Sequence, residues 1–320
     1  MTVRSDPRLL LLAGAACISV SAMFVKLSGT SPGTAALWRC LLALPVLLPL
    51  ALREPRADRD PGRTRCRLAA GVFLGIDLVF WGQCVADVGA SIATVLVNVQ
   101  VVILPGLAWL VSRERPAARF LATAPLMLLA VALASGAIGR AEPGSNPVRG
   151  ALMGVAAGAA YAGFLFLLRK GATPGQLVAP VRTATISAAV TSLLFGLVWG
   201  GVDLAPGWPA FGWLAALALT GQVGGWVLVG TALPRLRAGV GAALLLLQPV
   251  LAVLLGLLLL DERPTGWQLA GCAAVVTLVW FTTRTANRRG GGRAERSSAR
   301  WPMGKATTGP STEVSQVSPP

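Results

Sequence analysis

Apolar residues in this chain run in long unbroken blocks separated by short polar punctuation. Ten blocks can be drawn, roughly 9–27, 35–52, 68–86, 90–111, 119–138, 149–168, 180–199, 209–229, 238–260 and 266–283. Each approaches 20 residues, the length a helix needs to cross a bilayer. The linkers are rich in Gly, Pro, Asp and Arg. Beyond 283 the pattern stops. Residues 284–320 are rich in Arg, Ser, Gly and Pro and lack any apolar periodicity, which predicts a disordered basic tail.

Composition agrees with the pattern. Hydrophobic residues make up 54% of the chain and charged residues 13%, about half the share of a soluble domain. The predicted fold class is therefore an all-α integral membrane protein with ten transmembrane helices. Net charge is +15, yet no aromatic–basic motif or folded basic domain points to nucleic acid. Histidine is absent, and the five cysteines show no CxxC spacing. Neither a metal site nor a Cys/His nucleophile is expected. There is no Gly-x-x-x-x-Gly-Lys-Ser/Thr loop for ATP. The reading is no enzyme, no cofactor and no metal.

The cations fix an orientation. With the N-terminus in the cytoplasm, 22 Lys and Arg fall in inside loops and the tail. Four fall outside: Lys26, Arg140, Arg149 and Arg263. The positive-inside rule then places both termini in the cytoplasm, which requires an even number of helices. Arg4, Arg8 and the sequence "SVSA" (19–22) give the first block the look of a signal peptide. The run is long for that, and the repeat below needs it as a helix.

Two blocks end alike, in "LVSRERP" (110–116) and "LLLDERP" (258–264). Sliding residues 78–131 forward by 148 places Gly82 on Gly230, Gln100 on Gln248 and Glu114-Arg115-Pro116 on Glu262-Arg263-Pro264, without a gap. Earlier parts align at a shorter offset, with Pro32-Gly33 on Pro174-Gly175 and Arg39 on Arg182. The chain thus reads as two five-helix copies, 1–138 and 149–283, followed by the tail 284–320. Five is odd, so the second copy enters the membrane from the opposite side, the inverted-repeat plan of many secondary transporters. The residue before Pro is driven from helical dihedrals, so each Glu-Arg-Pro also stops its helix. It falls inside in one copy and outside in the other, so orientation alone does not explain it.

The segments "ASIATVLVNVQVVILPGLAWLVSRERP" and "AGVGAALLLLQPVLAVLLGLLLLDERP" resemble those of the EamA family of the drug/metabolite transporter superfamily. Arg39, in "LWRCLLALP", is similar to an arginine often found early in the second helix of such proteins. The resemblance covers about 1–283. It implies transport without naming the cargo, since known members move amino acids, metabolites, nucleotide sugars or drugs. "NVQVV" (98–102) departs from the family pattern, whereas Gln248-Pro249 keeps it. The expected function is a secondary transporter or exporter of small organic metabolites or drugs in the plasma membrane. It would work by alternating access, with proton coupling as a candidate. The rivals are a lipid or lipid-linked carrier flippase of the same fold and a membrane scaffold acting through its tail. The expected partners are a small-molecule substrate, membrane lipid, anionic lipid at the tail and a second copy of the chain.

Asp77, in "FLGIDLVFWGQ", is the one acidic residue well inside an apolar block. A carboxyl there faces a cavity or a partner. It serves substrate or proton coupling, or it is a hydrogen-bonded structural group. Trp81 lies one turn on, on the same face, as an apolar wall. Gln100 and Gln248 are paired by the repeat and hydrogen-bond a neighbouring helix or a substrate. Asn98 sits about 200° round the helix from Gln100, so at most one of the two faces a cavity. Tyr161, the only tyrosine, needs a partner for its hydroxyl. Arg39 and Arg182 either snorkel or line an entrance for anionic groups. Pro105 and Pro249 would let their helices bend.

Overall fold

The computed structural model describes residues 6–55, 60–134, 146–198, 201–251, 254, 266–267 and 269–281. The tail 284–320 and the second Glu-Arg-Pro, Glu262–Pro264, lie outside the described residues. Every regular element among the described residues is a helix, with one isolated bridge, Thr173 to Gln176, and no strand.

The helices start where the sequence supplies caps. Asp6 accepts from the Arg8 N–H ahead of α1 (Pro7–Ser19), and a turn at Val20 leads into α2 (Ser21–Ser28). Ser31 caps α3 (Pro32–Leu52), with Pro32 at the first position, where a missing N–H costs nothing. Then come α4 (Pro61–Val97), α5 (Gln100–Ser112) and α6 (Ala118–Ala134). Asn146 caps α7 (Pro147–Lys170), which is followed by α8 (Ala179–Val198). After α9 (Trp208–Leu217) the chain passes without a gap through a π-helical stretch, Ala218–Gly225, into α10 (Trp226–Ala232). The last elements are α11 (Ala238–Leu245), a turn at Leu246 with helix resuming to Leu251, and α12, Leu269–Phe281.

Among the described residues, six helical runs are long and apolar enough to span a membrane: Pro7–Val25, Pro32–Leu52, Pro61–Asp87, Val148–Lys170, Ala179–Val198 and Trp208–Arg235. Four shorter apolar helices complete the set, Gln100–Ser112, Phe120–Leu133, Ala238–Leu251 and Leu269–Phe281. In chain order this is three long and two short, twice, which fits a two-copy plan. The sequence places a loop between the third and fourth blocks, near 87–89. The structure instead continues α4 through this point to Val97 and breaks at Asn98–Val99. There the bonding shortens, with Val101 N–H on the Asn98 carbonyl (3.0 Å) and Val102 N–H on Val99 (3.0 Å). The equivalent position in the second copy, Leu246, is also a turn. Pro249 explains that one, because its ring excludes the carbonyl four residues back, Leu245. Pro105 breaks nothing: α5 runs straight through it.

Termination at the first Glu-Arg-Pro is as the sequence predicts. Alpha5 stops at Ser112, Arg113 takes a left-handed φ of 56°, and the Glu114 N–H reaches back to the Ala108 carbonyl (3.1 Å).

Helices of the first half pack on helices of the second. Alpha4 lies against α7 and α8, α3 against α8, α1 against α10, and α2 against α9. Small residues permit this closeness. A Cβ on Gly71 would collide with the Ala184 carbonyl, and one on Gly158 would sit 2.5 Å from Val99 Cγ1. Gly158 is thus what lets α7 nest against the break in α4.

Candidate functional site

The break at Asn98, the Val20 turn between α1 and α2, and the Leu246 turn all approach one level of the bundle. Beside them lies a cavity of about 680 Å³, counting its mouth, between the two halves of the chain. The first half contributes Ser19 and Ser21 from the α1–α2 junction, Arg39 from α3, and Asp77, Trp81 and Asn98 from α4 and its end. The second half contributes Tyr161 from α7, Trp226 from α10, and Gln248 with Pro249.

Most of the residues singled out in the sequence meet here. Asp77, Trp81, Asn98, Tyr161, Gln248, Arg39 and Pro249 all line the cavity. Gln100, Arg182 and Pro105 do not. Gln100 is fully buried at the start of α5, with neither amide atom hydrogen-bonded, and Pro105 is buried further along α5. Arg182 sits on α8, its Nε buried without an acceptor. Of Asn98 and Gln100 one lines the cavity and the other does not, but they stand at the break between α4 and α5 rather than on one continuous helix, so the 200° separation expected from the sequence does not apply.

Arg39 is only 4% exposed, so it does not snorkel to an interface. Its Nε donates to Gln222 Oε1 (3.0 Å), and Gln222 Nε2 donates to Thr185 Oγ1 (2.9 Å). Gln222 lies in the π-helical stretch and is fully buried. Asp77, 6% exposed, leaves Oδ1 without a donor, and no ion pair within 4.0 Å joins it to Arg39. Gln248 Nε2 donates weakly to the Tyr161 hydroxyl (3.4 Å), and Ser19 Oγ donates to the Ala15 carbonyl (2.7 Å). Tyr161, Phe164 and Trp226 pack as an aromatic cluster, the last two edge to face at 4.8 Å. Around this cavity Ser21 Oγ, Arg39 Nη2, Asp77 Oδ1 and Trp226 Nε1 are buried and make no hydrogen bond. Buried polar atoms rarely remain so.

Sequence reasoning missed Ser21, Gln222, Thr185 and Trp226. Ser21 stands in the "SVSA" already weighed as a processing signal. Gln222 is an amide inside an apolar block, in "LTGQVGGW", which is itself a signal, but its counterpart under the 148-residue shift is Leu74, so the repeat does not single it out.

Apolar helices of spanning length, repeated in two sets around a cavity at their seam, define an α-helical multi-pass membrane protein. More specifically, the chain belongs to the EamA-like transporter family, within the drug/metabolite transporter superfamily, whose family model matches residues 8–136 and again 148–284. One solved structure, described only as the crystal structure of a protein, aligns with a TM-score of 0.71 and 17% identity over 88% of this chain and 99% of that one. At that identity the likeness concerns the fold. No curated protein matches the sequence.

Proposed function

We propose that this protein is a secondary transporter or exporter of small organic solutes, alternately opening the cavity between its two halves to either side of a plasma membrane. The halves, 1–138 and 149–283, act as inverted five-helix repeats, with both termini cytoplasmic. The observation that carries this reading is the cavity itself. It is bounded by both halves, and it gathers an arginine and a carboxylate that are not paired with each other. Side chains of this kind with unmatched polar atoms, Arg39 Nη2 and Asp77 Oδ1, are costly inside a membrane protein, and such groups belong to substrate or ion pathways. Trp81 and Trp226 supply apolar wall, and the breaks at Asn98 and Leu246 supply helix ends at the cavity, as in discontinuous transporter helices.

Asp77 is the candidate for proton coupling. Asp77→Asn keeps shape and hydrogen bonding but removes the proton site. In proteoliposomes the variant should insert and fold as the parent does, lose gradient-driven accumulation by at least about tenfold and retain exchange. Tenfold corresponds to roughly 1.4 kcal/mol of coupling. The pH profile of flux decides the role of Asp77, and identical profiles for parent and variant would remove it from the mechanism. A C-terminal tag reachable from outside intact cells would overturn the topology and the inverted repeat together.

A further inference from the structure

Resting on that reading of the cavity, we propose that it recognises an anionic group, a carboxylate in the first instance, at Arg39 and Ser21, and that Gln222 with Thr185 positions the arginine for this task. The guanidinium is held from one side only. Nε is committed to Gln222 Oε1 at 3.0 Å, and Gln222 is itself committed to Thr185 Oγ1 at 2.9 Å. All three residues are at least nine-tenths buried, so this chain of bonds is shielded from water and fixes the orientation of the guanidinium plane. What it leaves over is donor capacity. Arg39 Nη2 has no acceptor, and neither Ser21 Oγ nor Trp226 Nε1 has a partner. Arg39 Nη2 and Ser21 Oγ lie 3.0 and 2.6 Å from the point a Cβ on Gly221 would occupy. They are therefore neighbours, separated by no more than the sum of those distances. Gly221 keeps that space free, and any larger residue there would press on both groups.

The donors around the cavity outnumber its free acceptors. Arginine offers a planar fork that matches a carboxylate, and truncating any donor set that reads a charged group costs more than losing a neutral contact. Asp77, the one carboxylate on the wall, makes no ion pair with Arg39 and so leaves the arginine available. The aromatic and aliphatic remainder of the wall, Trp81 and Leu78, fits an apolar body attached to the anionic head.

The test uses three probes that share one body: indole-3-propionate, its neutral amide and tryptamine. Each is added at millimolar concentration to the purified full-length protein, and thermal unfolding is followed, since binding to the folded state raises the midpoint. The expected result is a saturable rise with the carboxylate, with little or none from the amide or the amine. Thr185→Val, nearly isosteric, should weaken the carboxylate effect several-fold, and Gln222→Met at least about tenfold. Thr185→Ser should restore it with a ligand-free midpoint near that of the parent, while Thr185→Val and Gln222→Met, which each orphan a buried donor, are compared by the rise that the carboxylate adds to their own ligand-free midpoints. Should Gln222→Met fold poorly, the Val and Ser pair at Thr185 decides alone. Equal stabilisation by amide and carboxylate would overturn the anion assignment and leave the cavity as a solute site. Undiminished carboxylate binding in Thr185→Val and Gln222→Met would overturn the positioning role. No stabilisation by any probe would overturn the anion assignment as well, while the transport reading is judged separately by the Asp77→Asn flux profile.

Discussion

Glu54 and Glu114 spend both carboxylate oxygens on partners from the second half of the chain, whereas Asp77 leaves Oδ1 without any. Glu54 accepts the N–H groups of Leu177 (2.6 Å), Val178 (2.7 Å) and Ala179 (2.9 Å), and so closes the start of α8. Glu114 takes the Ala238 N–H at the start of α11 (2.9 Å) and pairs with Arg169 Nη1 (2.6 Å), whose Nη2 holds the Leu236 carbonyl. Arg67 adds bonds to Gly171, Thr173 and Gln176 in the α7–α8 connection. At the helix ends, then, charge is matched to orphan backbone groups and contributes stability. Around the cavity the same kinds of side chain are buried but incompletely matched. At the helix ends the polar groups finish their bonding inside the chain, whereas Ser21 Oγ, Arg39 Nη2 and Asp77 Oδ1 at the cavity do not.

That contrast predicts a graded set of outcomes. The largest loss of stability should come from Glu114→Ala, which strands Arg169 and the first N–H of α11. A cost of about 2–3 kcal/mol is expected from a lost cap plus a broken, partly buried pair. An unchanged unfolding midpoint would show that the clasp is idle. Glu54→Ala removes three acceptor contacts at one helix start and should cost about 1–2 kcal/mol, measured by the same unfolding transition. Ser21→Ala inverts the pattern. Its hydroxyl has no partner to lose, so stability should move by less than about 0.5 kcal/mol while carboxylate binding weakens. A destabilisation above about 1 kcal/mol would mean the hydroxyl is structural after all. Least of all, Arg63→Ala breaks an ion pair with Asp60 (3.3 Å) in which both side chains are about half exposed, and a long, exposed hydrogen bond to Thr173 Oγ1 (3.4 Å), and should stay within about 0.5 kcal/mol of the parent.

The large plan was legible because bilayer crossing and duplication leave long-range marks. Block lengths gave the helices, and Glu114-Arg115-Pro116 with Gln100 gave the copy. Hydropathy could not tell which face of a helix meets lipid and which meets protein, since both surroundings are apolar. Leu104 is fully buried and Leu110, on the same α5, is 75% exposed, yet they read alike. The helical run through Asp87 was missed for a related reason. Asp87 looks like a loop residue, but its carboxylate accepts from Arg149 Nε (2.8 Å) and Gln83 Nε2 (3.0 Å) and so is accommodated within α4. In the candidate site, Asp77, Trp81, Tyr161 and Gln248 announced themselves as polar or aromatic groups inside apolar blocks. Gln222 is set apart by partners on distant helices and Ser21 by its place beside Gly221 and Arg39, neither of which the sequence shows, and Gln100, although paired by the repeat, does not line the cavity.

The π-helical stretch Ala218–Gly225 also determines what a change of chain length would do. Each residue advances an α-helix by about 100°, and an i→i+5 turn carries one residue more than an α turn. Trp226 and the rest of α10 therefore point where they do because of the number of residues between Trp208 and Trp226, as much as because of their identity. Removing one residue from the π-helical stretch would let it close as ordinary α-helix with Trp226 left in place, whereas removing one from the regular turns of α9 would rotate Gln222 and Trp226 by about 100° away from the cavity. Where a residue is lost therefore matters more than that one is lost: the π-helical stretch can absorb the change and the helix before it cannot.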